Sequence, residues 1–172
     1  MEKFNISFLA PAVFQQQWAT TTVLGSITWL WINSKHHQQH TIQTFHKHLL
    51  PVINCQQFAL FYLNQQPIAY ITWAMFDEEA EQAYIQDNRS LLLHPQYWNS
   101  GSRMWLIDWF APFGHSIYLK NIIQNQIFPT SVVRFLYHRS EQTKAKILHA
   151  KGVAVTAQEY QYWMQHNPLP AL

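Results

Sequence analysis

Residues Leu24 to His37, LGSITWLWINSKHH, decide the fold of this chain. From about Val23 to Asn33 the apolar side chains recur at intervals of three and four, which predicts a short helix with one face in a core. Small polar residues end this helix, and a histidine, His37, follows them. A neutral imidazole in this position is a candidate general base, because histidine gains and loses its proton near neutral pH.

A second stretch, Arg103 to Gly114, RMWLIDWFAPFG, predicts a strand with a single acid, Asp108, inside an apolar run. Regular alternation along a strand would put Leu106 and Phe110 on the side of Asp108 and the residues between them on the other side. A carboxylate with such neighbours is expected to be buried, and an unpaired buried charge costs on the order of several kcal/mol. Asp108 therefore needs a partner.

Two partners for Asp108 are compatible with the sequence. It can orient His37 and balance the charge of the imidazolium, in which case the two side chains should come within about 2.6–3.2 Å or be bridged by one water. Alternatively, Asp108 caps a loop or pairs with Arg103, and His37 is an ordinary surface histidine. Spacing alone leaves both interpretations open.

The remaining elements are predicted from periodicity and from turn residues. Residues 1–20 show no clear period, so they are expected to form an irregular arm. Asn64-Gln65-Gln66 is a short polar link between two aromatic, β-branched runs, which predicts a hairpin. Further helices are predicted at Thr41–Ile53, Asp77–Ile85, Ser116–Ile127 and Gln158–Gln165, and further strands at Ser131–His138 and Lys146–Val155. This order predicts one α/β domain over residues 1–172, with a mixed central sheet flanked by helices.

The composition argues against several classes of protein. Of the 172 residues, 48% are apolar, which is enough for one domain with a sizeable core. A formal net charge of +2 is too small for a nucleic-acid-binding face. The one cysteine, Cys55, cannot form an internal disulfide, which favours a reducing compartment. With no convincing signal peptide and no apolar run of membrane-spanning length, a soluble cytoplasmic protein without stable membrane insertion is expected.

The histidines His36, His37 and His40 form an HHxxH pattern. On a helix, the first and last of them would share a face, as the ligands of a zinc helix do. The acid that a metalloprotease needs between them is replaced by Gln38 and Gln39, so no native metal site is predicted. The four glycines do not form a phosphate-binding loop.

The most basic stretch runs from Arg134 to Lys151 and contains Arg139 and Lys144. One interpretation is a solvated strand edge, where lysines discourage pairing with other chains. The other is a docking surface for an acidic partner.

Two segments, LGSITWLWINSKHH and WNSGSRMWLIDWFAPFG, together resemble the RTX toxin-activating lysine acyltransferases of the haemolysin-activating type. In that family a leucine-glycine segment with tryptophan runs to a serine and then, three residues on, to the catalytic histidine. Ser34 and His37 match this spacing. The catalytic aspartate of the family lies in a tryptophan-x-isoleucine-aspartate-tryptophan-x-alanine-proline-phenylalanine-glycine segment, which matches Asp108. The resemblance spans roughly Leu24 to Arg139.

This resemblance implies a fold like that of the GNAT acetyltransferases, with a sheet that splays to admit the acyl donor. It implies a homodimeric enzyme that transfers a fatty acyl group from acyl carrier protein, with no further cofactor, to internal lysines of an RTX protoxin in the bacterial cytoplasm. His37 and Asp108 would be catalytic, whereas Ser34 and Arg134 would contact substrate or an acidic partner. Tryptophans would either wall an apolar acyl groove or fill the core; they are Trp29, Trp31, Trp73, Trp105 and Trp109.

Three points stay open: which histidine is catalytic, how it acts, and whether the protein is an enzyme. The family usually has serine-proline-leucine-histidine where this chain has Ser34-Lys35-His36-His37, so His36 is a rival for His37. His37 can act directly as a general base, or it can carry the acyl group transiently. A different class of function is a catalytically silent module that binds the protoxin or the acyl carrier protein.

Overall fold

A six-stranded sheet forms the centre of the computed structural model, which describes residues 5–86, 89–137 and 146–169. The strands lie in chain order and are antiparallel to their neighbours, except that the fourth and fifth are parallel. This confirms the predicted α/β domain with a mixed sheet. The strands are β1 (Ile6–Leu9), β2 (Phe58–Leu63), β3 (Gln66–Phe76), β4 (Arg103–Phe110), β5 (Val132–Tyr137) and β6 (Lys146–Lys151).

Helices cover both faces of the sheet. The helices are α1 (Pro11–Phe14), α2 (Thr20–Ile32), α3 (Ile42–Asn54), α4 (Glu78–Ile85), α5 (Ser116–Ile122) and α6 (Ala157–His166). The stripe predicted from the first stretch is confirmed, because Val23, Ile27 and Leu30 of α2 are completely buried against the sheet. On the opposite face, α5 and the π-helical turn that continues it pack Leu119 and Ile123 into a second cluster. Within the described residues, every helix is too short or too polar to span a bilayer.

The predicted irregular arm is wrong where residues 6–9 form β1 and residues 11–14 form α1. Four residues are too few to show a period. Antiparallel pairing with β2 stabilises the strand, and Ile6 and Phe8 pack on the cluster that contains Phe61. Pairing with β2 and packing against Phe61 therefore stabilise a strand that the propensities of its own four residues do not predict.

The predicted hairpin is confirmed, with a tight turn between β2 and β3. Asn64 and Gln65 both have positive φ, at 51° and 66°. These values match the left-handed turn geometry that follows the twist of paired strands. The hairpin matters for function because β3 is the strand that pairs with the predicted catalytic strand, β4.

Candidate active site

A β-bulge in β4 determines which way Asp108 points. Thr72 of β3 pairs with Asp108, but the next residue of β3, Trp73, pairs with Leu106, so Ile107 is an extra residue in the ladder. The bulge puts Asp108 and Phe110 on the α2 side of the sheet, while Leu106 packs on the α5 side. The prediction that Leu106 shares the side of Asp108 is therefore wrong, because a bulge breaks the two-residue alternation of a strand.

Thr72 holds the Asp108 carboxylate in place. Its hydroxyl donates to Asp108 Oδ2 at 3.0 Å and accepts from the Asp108 backbone N–H at 3.2 Å. Thr72 is completely buried, and Asp108 is half-buried. A side chain held through both its carboxylate and its own backbone has little freedom to rotate, so the bulge presents the acid in a defined orientation.

A buried tyrosine, Tyr70, lies beside this acid on the same side of β3. The indole Nε1–H of Trp31 donates to the Tyr70 hydroxyl at 3.1 Å. Burial first, and then the negative charge of Asp108, raise the pKa of the Tyr70 phenol, which keeps it protonated. Trp31 and Tyr70 thus connect helix α2 to the strand pair that carries Asp108.

His37 lies just beyond the end of α2, where its orientation is set by Ser34. His37 Nδ1 and Ser34 Oγ are 2.9 Å apart. When Nδ1 bears the proton of the neutral imidazole, it donates to the serine oxygen, and Nε2 is the basic nitrogen. The sequence placed Ser34 among the substrate-binding residues, whereas the structure places its hydroxyl on the imidazole.

Aromatic rings surround the half-buried imidazole of His37. Its ring centroid lies 4.4 Å from that of Phe110 and 5.0 Å from that of Trp31. Burial lowers the pKa of His37, and the neighbouring His40 and His36 lower it further. A lower pKa leaves more of the imidazole neutral, as a proton acceptor requires.

His37 and Asp108 therefore face the same side of the sheet. Phe110, which contacts the imidazole, follows Asp108 by two residues in β4 beyond the bulge. Trp31 packs against the His37 ring and donates a hydrogen bond to Tyr70, whose pKa is raised by the charge of Asp108. A direct or water-bridged pair of His37 with Asp108 remains a prediction, and the structure places both residues on the α2 side of the sheet.

Arg134 lies away from this site and is completely buried. Its guanidinium pairs with the buried carboxylate of Glu81, donates to the carbonyl of Asn167 and lies 4.7 Å from the ring centroid of Trp163. The structure thus does not bring Arg134 to a surface where a partner could bind it. Of the basic stretch, residues 138–145, which include Arg139 and Lys144, lie outside the described residues.

The strands β4 and β5 run parallel and share a short ladder. In the described residues their register consists of the pairs Trp105 with Arg134 and Leu106 with Phe135. A cavity of about 590 Å³ lies between β4, β5 and α5 and is lined by residues on both sides of these pairs. Its lining is largely apolar and includes Leu106, Trp109, Ile117, Ile123, Phe128, Val133, Phe135 and Leu136.

The five tryptophans occupy different environments. Trp109 lines the large cavity, whereas Trp73 and Trp105 are core residues. Trp31 is buried beside His37 and helps line a smaller cavity of about 230 Å³, and Trp29 is 41% exposed. The wall of the large cavity is formed mainly by aliphatic and phenylalanine side chains. In the sequence, their spacing does not distinguish these residues from core residues.

Sequence reasoning missed Thr72 and Tyr70, which hold and border Asp108. Both lie in the aromatic, β-branched run of β3, where they look like ordinary strand residues. Their place opposite Asp108 and Phe110 depends on the register and on the bulge. Among the residues that the structure describes, no group of three His, Cys, Asp or Glu side chains has a geometry that could hold a metal ion.

Comparison with known proteins identifies relatives along most of the chain. A leukotoxin-activating lysine-acyltransferase of Mannheimia haemolytica is 40% identical over 132 residues, which cover 76% of this chain and 77% of that protein. An RTX-II toxin-activating lysine-acyltransferase of Actinobacillus pleuropneumoniae is 38% identical, with 78% and 82% covered. A protein-lysine myristoyltransferase of Kingella kingae is 40% identical, with 78% of each chain covered.

A solved structure, the loading GNATL domain of CurA from Lyngbya majuscula, aligns with a TM-score of 0.46 and 10% sequence identity. The alignment covers 80% of this chain and 70% of that domain. The sequence model of the RTX toxin acyltransferase family matches residues 16–151, which include His37 and Asp108. The chain belongs to the RTX toxin acyltransferase family.

Proposed function

We propose that this protein transfers a fatty acyl group from acyl carrier protein to internal lysines of an RTX protoxin and so activates the toxin. One observation supports this most directly: a half-buried imidazole, held through Nδ1 by Ser34, faces the same side of the sheet as the acid Asp108. The names of the relatives, which include toxin-activating lysine-acyltransferases and a protein-lysine myristoyltransferase, support the same activity.

In the proposed reaction His37 is the general base. Its Nε2 takes a proton from the lysine amine as the lysine Nζ attacks the carbonyl carbon of the acyl thioester. The amide C–N bond forms, the thioester C–S bond breaks, and the proton passes to the thiolate that leaves on the carrier. Asp108, held by Thr72, stabilises the imidazolium through its negative charge.

We assign the acyl chain to the cavity between β4, β5 and α5, which lies on the other side of the sheet from Asp108 and reaches the next residue of β4, Trp109. Its volume of about 590 Å³ lies in the range of about 300–1,000 Å³ that is typical of ligand pockets. Burial of an alkyl chain against such a lining is favourable, at about 0.8 kcal/mol per CH₂ group. The absence of a glycine-rich phosphate loop from the sequence is consistent with a donor that is held by its carrier protein. We place this reaction in the bacterial cytoplasm and assign the enzyme as a homodimer.

Mass spectrometry of a co-expressed protoxin tests the proposed function. A leukotoxin-type RTX protoxin should carry fatty acyl-lysine when it is produced with the wild-type protein, and should not carry it with Asp108→Ala or His37→Ala. Each variant must be shown to fold by circular dichroism. Stable binding of the protoxin without acylation, by a folded wild-type protein supplied with acyl carrier protein, would instead support the silent binding module.

A substitution in the cavity should change the length of the chain that is transferred. Val133→Trp adds a large side chain to the lining of the cavity. The efficiency of transfer of long acyl chains, relative to short ones, should therefore fall by about tenfold or more, because an apolar pocket that loses room for a methylene discriminates by this factor. The measurement is the distribution of acyl lengths on the protoxin. Val153→Trp is the matched control, because Val153 is 61% exposed and is not among the residues that line the cavity. An unchanged distribution with Val133→Trp would contradict the assigned acyl site.

A further inference from the structure

Three imidazole rings form a histidine cluster at the end of α2, made of His36, His37 and His40. Each ring centroid lies 5.3 Å from the other two. His37 is half-buried, whereas His36 and His40 are exposed. Only His37 is needed as the base in the proposed reaction, so the other two rings require an explanation of their own.

Local structure holds two members of this cluster, His37 and His40. The His40 backbone N–H donates to the carbonyl of His37 at 3.0 Å and closes a short 3₁₀ turn. The Gln38 side chain donates to the carbonyl of Ile32, at the last turn of α2. Trp31 packs against both His37 and His40, with centroid distances of 5.0 and 5.1 Å. The rings of His37 and His40 are thus held beside Trp31, and His36 lies next to both.

Charge on the exposed rings acts on His37. A proton on His40 or His36 disfavours another positive charge about 5 Å away, and it adds to the effect of burial, which is the largest cause of the lowered pKa of His37. The two neighbouring imidazoles therefore make a proton on His37 less favourable.

The strands packed here contribute two titratable groups. Tyr70 of β3 stays protonated and neutral, and Asp108 of β4 carries a negative charge that raises the pKa of Tyr70. Lys35 is exposed and next to the cluster in the chain. From α3, Ile42 and Phe45 line the small cavity beside His37 and carry no charge. Besides burial, His40 and His36 are therefore the groups that lower the pKa of His37.

We propose that His36 and His40 are positioning residues that reserve the imidazole of His37 for the proton of the substrate lysine. They do so by packing against the ring and by making a positive charge on it unfavourable. The proposal rests on the proposed function of His37 as the general base. It predicts that the enzyme keeps activity under mildly acidic conditions in which a lone imidazole would be protonated.

The first test is a titration of the free protein without substrate. Histidine Cε1–H resonances are followed by NMR across pH in the wild type, in His36→Gln, in His40→Gln and in the double variant, with His37→Gln used to assign the His37 signal. The pKa of His37 should rise in each variant and most in the double variant. His48→Gln is the matched control, since His48 is an exposed histidine of α3, and it should leave the titration unchanged. A wild-type pKa of His37 in the double variant overturns the proposal.

The second test is the pH profile of kcat/KM for acyl transfer to the protoxin. The acid limb should move to higher pH in the double variant, which should lose most of its activity at about pH 6 and retain the wild-type plateau above about pH 8. An unmoved acid limb, with wild-type transfer intact, overturns the positioning role alone. If the wild type transfers no acyl group at any pH, the proposed function fails and the positioning role fails with it.

Discussion

Replacement of His37 by alanine is expected to lower the rate of acyl transfer to a protoxin lysine by about 100- to 10,000-fold, the usual contribution of a positioned general base. The loss follows from the geometry, since Ser34 occupies Nδ1 and Nε2 is the nitrogen left to accept the proton. Single-turnover transfer from acyl carrier protein, followed by mass spectrometry of the protoxin, measures the rate directly.

The matched control for this variant is His48→Ala, which removes an exposed imidazole from α3 and should leave the rate unchanged. Thermal unfolding should show that His37→Ala folds, because the side chain is only half-buried and its hydrogen bond is to one serine. A rate near that of the wild type in a folded His37→Ala protein would remove His37 from the chemistry. If His36→Ala then lost the activity, His36 would be the base.

The same assay separates the two mechanisms that remain open for His37. A direct general base leaves no acyl group on the enzyme, whereas a transient acyl carrier gains the mass of the acyl chain when the enzyme is mixed with donor in the absence of protoxin. Such an adduct should be absent from His37→Ala in either case. The fold permits both, because the imidazole is only half-buried.

Local patterns in the sequence were sufficient for most of the fold. The period of three and four in α2 and the polar link between β2 and β3 reflect how single elements bury one side, and both predictions are confirmed. The strand β1 was missed because its stability comes from pairing with a strand about fifty residues away. Propensity over four residues carries little of that information.

The site was harder to predict because its details depend on register. Asp108 was recognised as an acid in an apolar run, but the bulge at Ile107 sets the side to which it points. Thr72 and Tyr70 become part of the site only because β3 pairs with β4 in a register that places them opposite Asp108 and Phe110. The basic character of Arg134 suggested a surface contact, whereas burial beside Glu81 gives it a structural role. Charge type alone does not reveal whether a residue has a buried partner.

Loss of Glu81 is expected to destabilise the protein strongly. Glu81 is completely buried; its Oε1 accepts from Trp105 Nε1 at 2.7 Å and from Arg134, and its Oε2 accepts from Arg103 at 2.8 Å. Glu81→Ala leaves the buried Arg134 guanidinium without its counter-charge, which typically costs about 3–5 kcal/mol. At about 2–4 °C per kcal/mol for a chain of this size, the midpoint of thermal unfolding should fall by about 6–20 °C.

Urea denaturation of Glu81→Ala and of the matched control Glu79→Ala gives the two free energies of unfolding. Glu79 is an exposed acid of the same helix, so its loss should change the stability by no more than about 0.5 kcal/mol. The double variant Glu81→Leu with Arg134→Met should cost less than the sum of Glu81→Ala and Arg134→Ala, because no buried charge is then left alone. A Glu81→Ala protein as stable as the control would show that water reaches this network.

Glu81 also joins the two strands β4 and β5. Its Oε1 accepts from Trp105 of β4 and from Arg134 of β5, and these two residues form one of the two pairs that join the strands. The cavity assigned to the acyl chain is lined by residues of both strands on either side of that pair. A buried carboxylate that accepts from both strands therefore holds β4 and β5 together beside the cavity. If the losses in the free energy of unfolding were additive in the double variant, this role of Glu81 would be contradicted, because the carboxylate and the guanidinium would not act as a unit.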